Sequence, residues 1–369
     1  MNENETVVVP AEVERLMPGW SYTEKRGDFD MDDGPDLAKF QTQGRLGAAL
    51  AFLQAEVWPA FDRADKAAIR HQKRHRRLTE VAAVSGSLAV LFGIVQLVFP
   101  SLVGWHWLGG TEVVVAAVAL LAVILGVKAA FQFNWLQERH RAERLRELKF
   151  GLLVHEDLWR GRFDAWQERA KQRVLDLSRL TRADVEAWAD RDRVSLPEKS
   201  TAGCSMEAGL VRTLAGFYIA KRLGYQMSYF ERRSQQHGGQ DRRLRHWPAW
   251  CFYGSVLAVF AHYVLDVSPV RIETAESLAK ALILLAVALP VVGACVRSIR
   301  VARELGRSAA LFRAKHGALE NLLERMLKEL NVVPINPVDV LHSIAACEDF
   351  LEAEQREWLR LMREAEWFG

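Results

Sequence analysis

Four blocks of this chain are long and apolar enough to demand an unusual solvent. The first, Val81 to Phe99, holds 19 residues without a charge. At a helical rise of about 1.5 Å per residue it reaches about 28 Å, close to the hydrocarbon thickness of a bilayer. The second runs from Val113 to Phe131, with Lys128 near its end, where a lysine can snorkel to the headgroups. The third runs from Trp247 to Leu265. The fourth runs from Ala281 to Val296 and is extended to a start near Leu278, with Pro290 expected to kink it. Buried helices of a soluble core are the competing reading, but they rarely need uncharged residues on every face. The composition conceals the pattern: 50% hydrophobic and 26% charged residues average apolar blocks with polar ones.

Lysine and arginine placement sets the expected sidedness. Arg70, Lys73, Arg74, Arg76 and Arg77 precede the first block. Arg139, Arg141, Arg144, Arg146 and Lys149 follow the second, Arg242, Arg243 and Arg245 precede the third, and Arg297, Arg300, Arg303 and Arg307 follow the fourth. The short connection from Ser101 to Glu112 has no basic residue, and that from Asp266 to Ala279 has only Arg271. A multi-pass protein of the inner membrane with both termini cytoplasmic is therefore expected. Trp105, Trp107 and Trp247 suit the aromatic belts. The start, Met1 to Glu14, is acidic and unlike a signal peptide.

The chain also resembles itself. At an offset of 166, Arg76-Arg77-Leu78 matches Arg242-Arg243-Leu244. The same offset aligns Glu138, Arg141, Leu145, Lys149, Gly151 and Leu153 with Glu304, Arg307, Leu311, Lys315, Gly317 and Leu319, six identities in 16 positions. Composition alone gives about one. The expected organisation is an acidic, flexible tail over 1–39, a first two-span repeat over 40–189, a linker over 190–207 and a second two-span repeat over 208–369. The fold class is all-α, a membrane protein with four transmembrane helices in two hairpins. Long cytoplasmic helices are expected to form a coiled-coil-like bundle. Leu145, Leu148, Leu152, Trp159, Phe163, Trp166, Ala170 and Val174 recur every three or four residues and predict a helix continuing to about Leu175. Asn336-Pro337 reads as an N-cap followed by proline in the first turn of a final helix reaching about Glu366.

Most chemical motifs fail. Asp28, Asp30 and Asp32 begin like a calcium loop, but Asp33 and Lys39 stand where glycine and glutamate are needed. His71 and His75 share a helix face but lie in a basic run that reads as a headgroup-facing patch. No phosphate loop, nucleophile elbow or dinucleotide fingerprint occurs, so no catalytic residue, metal or cofactor is assigned and an enzyme is not expected. A net charge of +3 gives no general pull toward nucleic acid, and none is expected as partner. One constellation remains. Tyr218, Arg222, Gln226, Tyr229 and Arg232 line one face of a helix over 208–235. The final helix carries Glu348, Asp349, Glu352, Glu357 and Trp358. The two faces could pair as structural glue or form a ligand site.

These residues resemble the SLATT domains, two-transmembrane effector domains associated with nucleotide-second-messenger and SLOG systems. Tyr218-x3-Arg222-x3-Gln226-x2-Tyr229, a two-span hairpin, a long helix and an ending with Glu348, Glu354 and Trp358 carry the resemblance over about 208–366. The first repeat fits loosely, through Ala64 to Ala68 and the basic run, and lacks the Arg-Gln-Tyr motif. The resemblance implies a bacterial inner-membrane effector of antiviral defence that perforates or depolarises the bilayer on a signal from a separate sensor protein. The leading expectation is thus a homo-oligomeric pore in the lipid bilayer. Its possible lining is Ser85, Ser87, Gln96, Ser255 and His262, although tight helix packing explains small and weakly polar residues equally well. A non-conducting scaffold that presents its helices to partner proteins, and an enzyme acting on lipid headgroups, are the alternatives.

Overall fold

The structure is a computed structural model, and it describes residues 44–99, 106–128, 130–190, 206–267, 275–303 and 305–364. The expected tail over 1–39, most of the 190–207 linker, Trp105 and Glu304 lie outside these residues. The described chain is helical and contains no strand. In chain order its helices are α1 (Gly44–Glu56), α2 (Trp58–Val98), α3 (His106–Lys128), α4 (Phe131–Leu153), α5 (Glu156–Trp159), α6 (Phe163–Ser178) and α7 (Arg182–Asp190). There follow α8 (Ala208–Tyr218), a π-helical turn (Ile219–Leu223), α9 (Gly224–Arg245), α10 (Trp247–Val267), α11 (Ala275–Ala302), α12 (Leu305–Asn331) and α13 (Pro337–Glu364). The chain forms two compact units. One takes the described residues up to Arg70, with Phe133–Arg233 and from Leu311 onward, and the other takes His71–Gln132 and Ser234–Ala310. Each unit draws on both halves of the sequence.

The first unit is a water-soluble type of core. In α1, Leu46, Ala49, Leu50 and Leu53 sit at helical spacing and are fully buried, together with Trp166 and Leu158. The helix expected to run on to Leu175 is broken here. It starts afresh at Phe131, just past Ala130, whose φ of 46° is left-handed, and it stops at Leu153. Its last carbonyls lack intrahelical donors, and two indoles supply them: Trp159 Nε1 donates to Leu153 O at 2.9 Å and Trp166 Nε1 to Leu152 O at 2.8 Å. His155 then caps α5 by accepting from the Asp157 N–H, and Gly161 turns the chain at φ 81°. The apolar stripe is thus buried as its period requires, but a corner interrupts the helix that carries it. At Pro337 the sequence rule holds: Asn336 Oδ1 accepts from the Val338 N–H at 3.1 Å.

The second unit contains the apolar blocks. Four of the described helical stretches are long and apolar enough to cross a membrane. In the most apolar stretch of α2 no residue is buried by protein, and in α11 only 6% are. A protein core would cover such faces, so their natural solvent is hydrocarbon. Helices α10 and α11 pack together through small residues. A Cβ on Gly293 would lie 3.1 Å from Cys251 Cβ and 3.5 Å from the Pro248 backbone. Pro290 has no N–H to give Ala286 O, four residues earlier. Ser255 Oγ donates to that carbonyl instead, at 2.6 Å.

Glu112, expected in the first connection, is inside α3. Gln96 of α2 donates to its Oε2 at 2.6 Å, and Gly93 opposite leaves room, since a Cβ there would be 3.2 Å from Oε1. Two arginines of the basic flank after the fourth block are internally paired. Arg303 reaches Glu80 at 2.8 Å, which Arg76 also holds, and Arg300 reaches Asp241 at 2.7 Å.

Candidate functional site

The first unit brings together three of the residues singled out by the sequence. Tyr218 ends α8, Arg222 lies in the π turn and Glu348 lies on α13. The Tyr218 hydroxyl donates to Glu348 Oε1 at 2.6 Å. Arg222 grips the same carboxylate with two donors, Nε to Oε1 at 2.9 Å and Nη2 to Oε2 at 3.0 Å. The arginine and glutamate side chains are 3% and 4% exposed, so this is a bidentate ion pair almost without water. The local backbone favours it. The π turn widens the helix where Arg222 departs, and its closing N–H runs from Gly224 to Ile219 O. A Cβ on Gly224 would approach that oxygen to 3.3 Å. Phe150 of α4 meets the Tyr218 ring edge-on at 5.5 Å and lies 5.4 Å from the Arg222 guanidinium carbon.

The other named residues surround or leave this clamp. Gln226 is buried on α9, one turn on from Arg222. Tyr229 belongs to a ring cluster, stacked on Tyr225 and edge-on to Phe230 and Phe312. Trp358 sits ten residues along α13 from Glu348, about 15 Å of helix. It packs edge-on against Trp135 in a separate apolar cluster with Leu136, Val185 and Leu359. In the second unit Ser255 and Gln96 are both engaged in hydrogen bonds between helices, as described above, while Ser85, Ser87 and His262 are half-buried.

Helix α4 contributes a layer of charge that the sequence reading passed over as a basic flank. Arg146 donates to Glu143 Oε2 at 2.7 Å, and Arg139 also pairs with Glu143. Burial pushes the Glu143 carboxyl up, but the guanidiniums of Arg139, Arg146 and Arg222 outweigh it and hold it down at about 2. Arg144 Nη1 touches two carboxylates, Glu147 Oε2 at 2.7 Å and Glu352 Oε1 at 3.3 Å, and Arg356 also holds Glu352 at 2.9 Å. The Trp188 ring lies between these arginines, 5.6 Å from the Arg144 and 5.2 Å from the Arg356 guanidinium carbon. His140 also meets Trp188, at 4.3 Å, and burial, with Arg144 adding to it, lowers its pKa to about 3. Lys149 is fully buried over the Phe150 and Phe217 rings, and Lys315, its partner in the repeat, is 7% exposed over Phe230. A lysine breaking an apolar stripe at matching places in both copies was the signal available for this layer. Cys347, next to Glu348, is buried and its thiol is pushed up to about 12, which leaves it unreactive.

No family model matches the chain, and no curated protein or solved structure matches it. The arrangement itself is one of mutual neutralisation: each carboxylate of the clamp and of the α4 layer described above has a guanidinium within reach. Chemically, it can fix three helices and register a change in charge.

Proposed function

We propose that this protein is a membrane-embedded effector that assembles as a homo-oligomer and opens or disrupts the bilayer, with its first unit as the control element. The observation that carries the reading is the pairing of four apolar helical stretches that protein leaves mostly uncovered with a dry Tyr218–Arg222–Glu348 clamp in the first unit. On this reading the apolar helices form two hairpins in an inner membrane, both termini are cytoplasmic, and the cytoplasmic helices form a coiled-coil-like bundle. On the SLATT resemblance, the proposed role is in antiviral defence, triggered by a separate sensor protein. The chain's own polar contacts shape the mechanism. Ser255 and Gln96 spend their donors within one molecule, so a conducting path forms between copies or by separation of paired helices.

A non-conducting scaffold is the second reading, and the same two hydrogen bonds favour it, because they are what a permanently packed helix set would make. Two measurements separate the readings. Expression with a membrane-potential dye, and dye release from vesicles holding the purified chain, show loss of potential and leakage for an effector. Intact potential and tight vesicles at every expression level would leave the scaffold. Arg222→Lys, which keeps the charge but loses the two-donor grip, changes the threshold for leakage if the clamp controls it. An unchanged threshold in a stably folded variant removes the clamp from the mechanism.

A further inference from the structure

The clamp accounts for Arg222 and Glu348 but not for the carboxylates beside them. Glu147 and Glu352 come from different helices, α4 and α13, and converge on one guanidinium nitrogen of Arg144. Glu352 is 7% exposed, and its Oε1 takes both Arg144 and Arg356. Its Oε2 is buried and has no hydrogen-bond donor. A carboxylate oxygen sealed from water without a donor is costly. The second carboxyl within reach can supply the missing donor, provided it carries a proton. Glu147 is so placed: its Oε2 accepts from the same Arg144 nitrogen that Glu352 Oε1 meets, so the two carboxyls adjoin.

We propose that Glu147 and Glu352 together bind one proton at neutral pH, as a carboxyl–carboxylate pair that pins α4 to α13, and that losing this proton loosens the contact. The charged groups facing the pair are Arg144 from α4, Glu348 and Arg356 from α13, and Arg222 from the π turn, which is committed to Glu348. Glu143, on α4, is committed to Arg139 and Arg146. With the proton in place one positive charge is in excess, and the Trp188 ring that touches both Arg144 and Arg356 offsets it. Burial first, then the Glu352 and Glu348 charges, against the pull of Arg144, raise the Glu147 pKa to about 8. The folded chain therefore holds a proton that the unfolded chain releases near pH 4.5. The stabilisation is complete below that value and disappears as pH rises through about 8.

The test uses the full chain in detergent micelles or lipid nanodiscs and does not depend on any conducting activity. Infrared difference spectra between pH 6.5 and 9 should show a protonated carboxyl disappearing in the native chain. Glu147→Gln should lack that band, and its thermal midpoint should stay level over the range where the native chain's falls. The amide of Glu147→Gln supplies the donor permanently, so the variant should fold. If it does not, Glu352→Gln removes the neighbouring charge and should move the titration to lower pH. A band of full strength in Glu147→Gln, or an unmoved titration in Glu352→Gln, overturns the proposal.

Discussion

The Tyr218–Arg222–Glu348 clamp makes a quantitative prediction about coupling. Arg222→Met keeps length and apolar packing but leaves Glu348 buried with only Tyr218 donating to it, beside the acidic Glu147 and Glu352. Stranding a buried charge in this way costs about 3–5 kcal/mol. Glu348→Met should cost less, about 2–4 kcal/mol, because Arg222 then falls to the attraction of Glu143. In the double variant no charge is stranded, and the residual loss is the orphaned Tyr218 hydroxyl, about 1–3 kcal/mol. Subtracting the double variant's loss from the sum of the two single losses gives a coupling of about 5 kcal/mol at mid-range, and adding Tyr218→Phe should recover most of the remainder. Urea unfolding of the micelle-bound chain followed by helical circular dichroism measures the cycle. Hydrogen exchange over α8 and the π turn locates it. Additivity within about 0.5 kcal/mol would mean that the pair is solvated or unformed, and the argument from burial would fail.

Four further outcomes are expected. Ser255→Ala should cost about 1 kcal/mol, within the range of hydrogen bonds between membrane helices. The cost should vanish in a Pro290→Ala background, where residue 290 regains an N–H for Ala286 O, and a second thermal-unfolding cycle reads this. Gly293→Ala should lower the thermal midpoint more than Gly86→Ala, because Cys251 and the Pro248 backbone crowd the first site and nothing lies within 4 Å of the second. Ala130→Gly should stabilise the chain by about 1 kcal/mol by relieving a left-handed alanine, less the entropy glycine brings to the unfolded state. His140→Gln should resist acid better than the native chain. The buried imidazole is held neutral down to about pH 3, whereas unfolding releases a group that protonates near 6.5. The native chain therefore loses stability relative to the variant as pH falls below 6.5, visible in thermal midpoints at pH 7.5 and 5.

What was legible in the sequence follows from the range of the forces involved. The apolar helices were legible because hydrophobicity summed over 19 residues in the first block alone leaves few solvents that suit it. The Tyr218–Arg222 face was legible because helical spacing fixes it locally, and Glu348 because a buried arginine needs a carboxylate. The corner at Val154 to Arg162 was not legible. Its cause is tertiary: the indoles of Trp159 and Trp166 turn back to satisfy carbonyls six and fourteen residues earlier. Glu112 was assigned to a connection because charge normally marks a helix boundary, and its acceptance inside α3 depends on Gln96 and Gly93 of another helix. The Glu143–Glu147 layer looked like a solvated flank because arginines beside it in sequence serve equally well as surface charge. Only packing distinguishes the two.

The energies of these contacts differ between the two units, and the difference bears on how the protein could respond to a signal. In the second unit the ion pairs Arg303–Glu80 and Arg300–Asp241 are partly exposed, and Ser255 to Ala286 and Gln96 to Glu112 join helices by hydrogen bonds. Hydrogen bonds of this kind average about 0.6 kcal/mol in membrane helices, so thermal motion exchanges them readily. In the first unit, breaking the Arg222–Glu348 pair strands the Glu348 charge at about 3–5 kcal/mol. The clamp therefore resists opening more strongly than either of these hydrogen bonds does. On the proposed effector reading, a trigger that supplies a replacement partner for Arg222 or Glu348 would lower that cost.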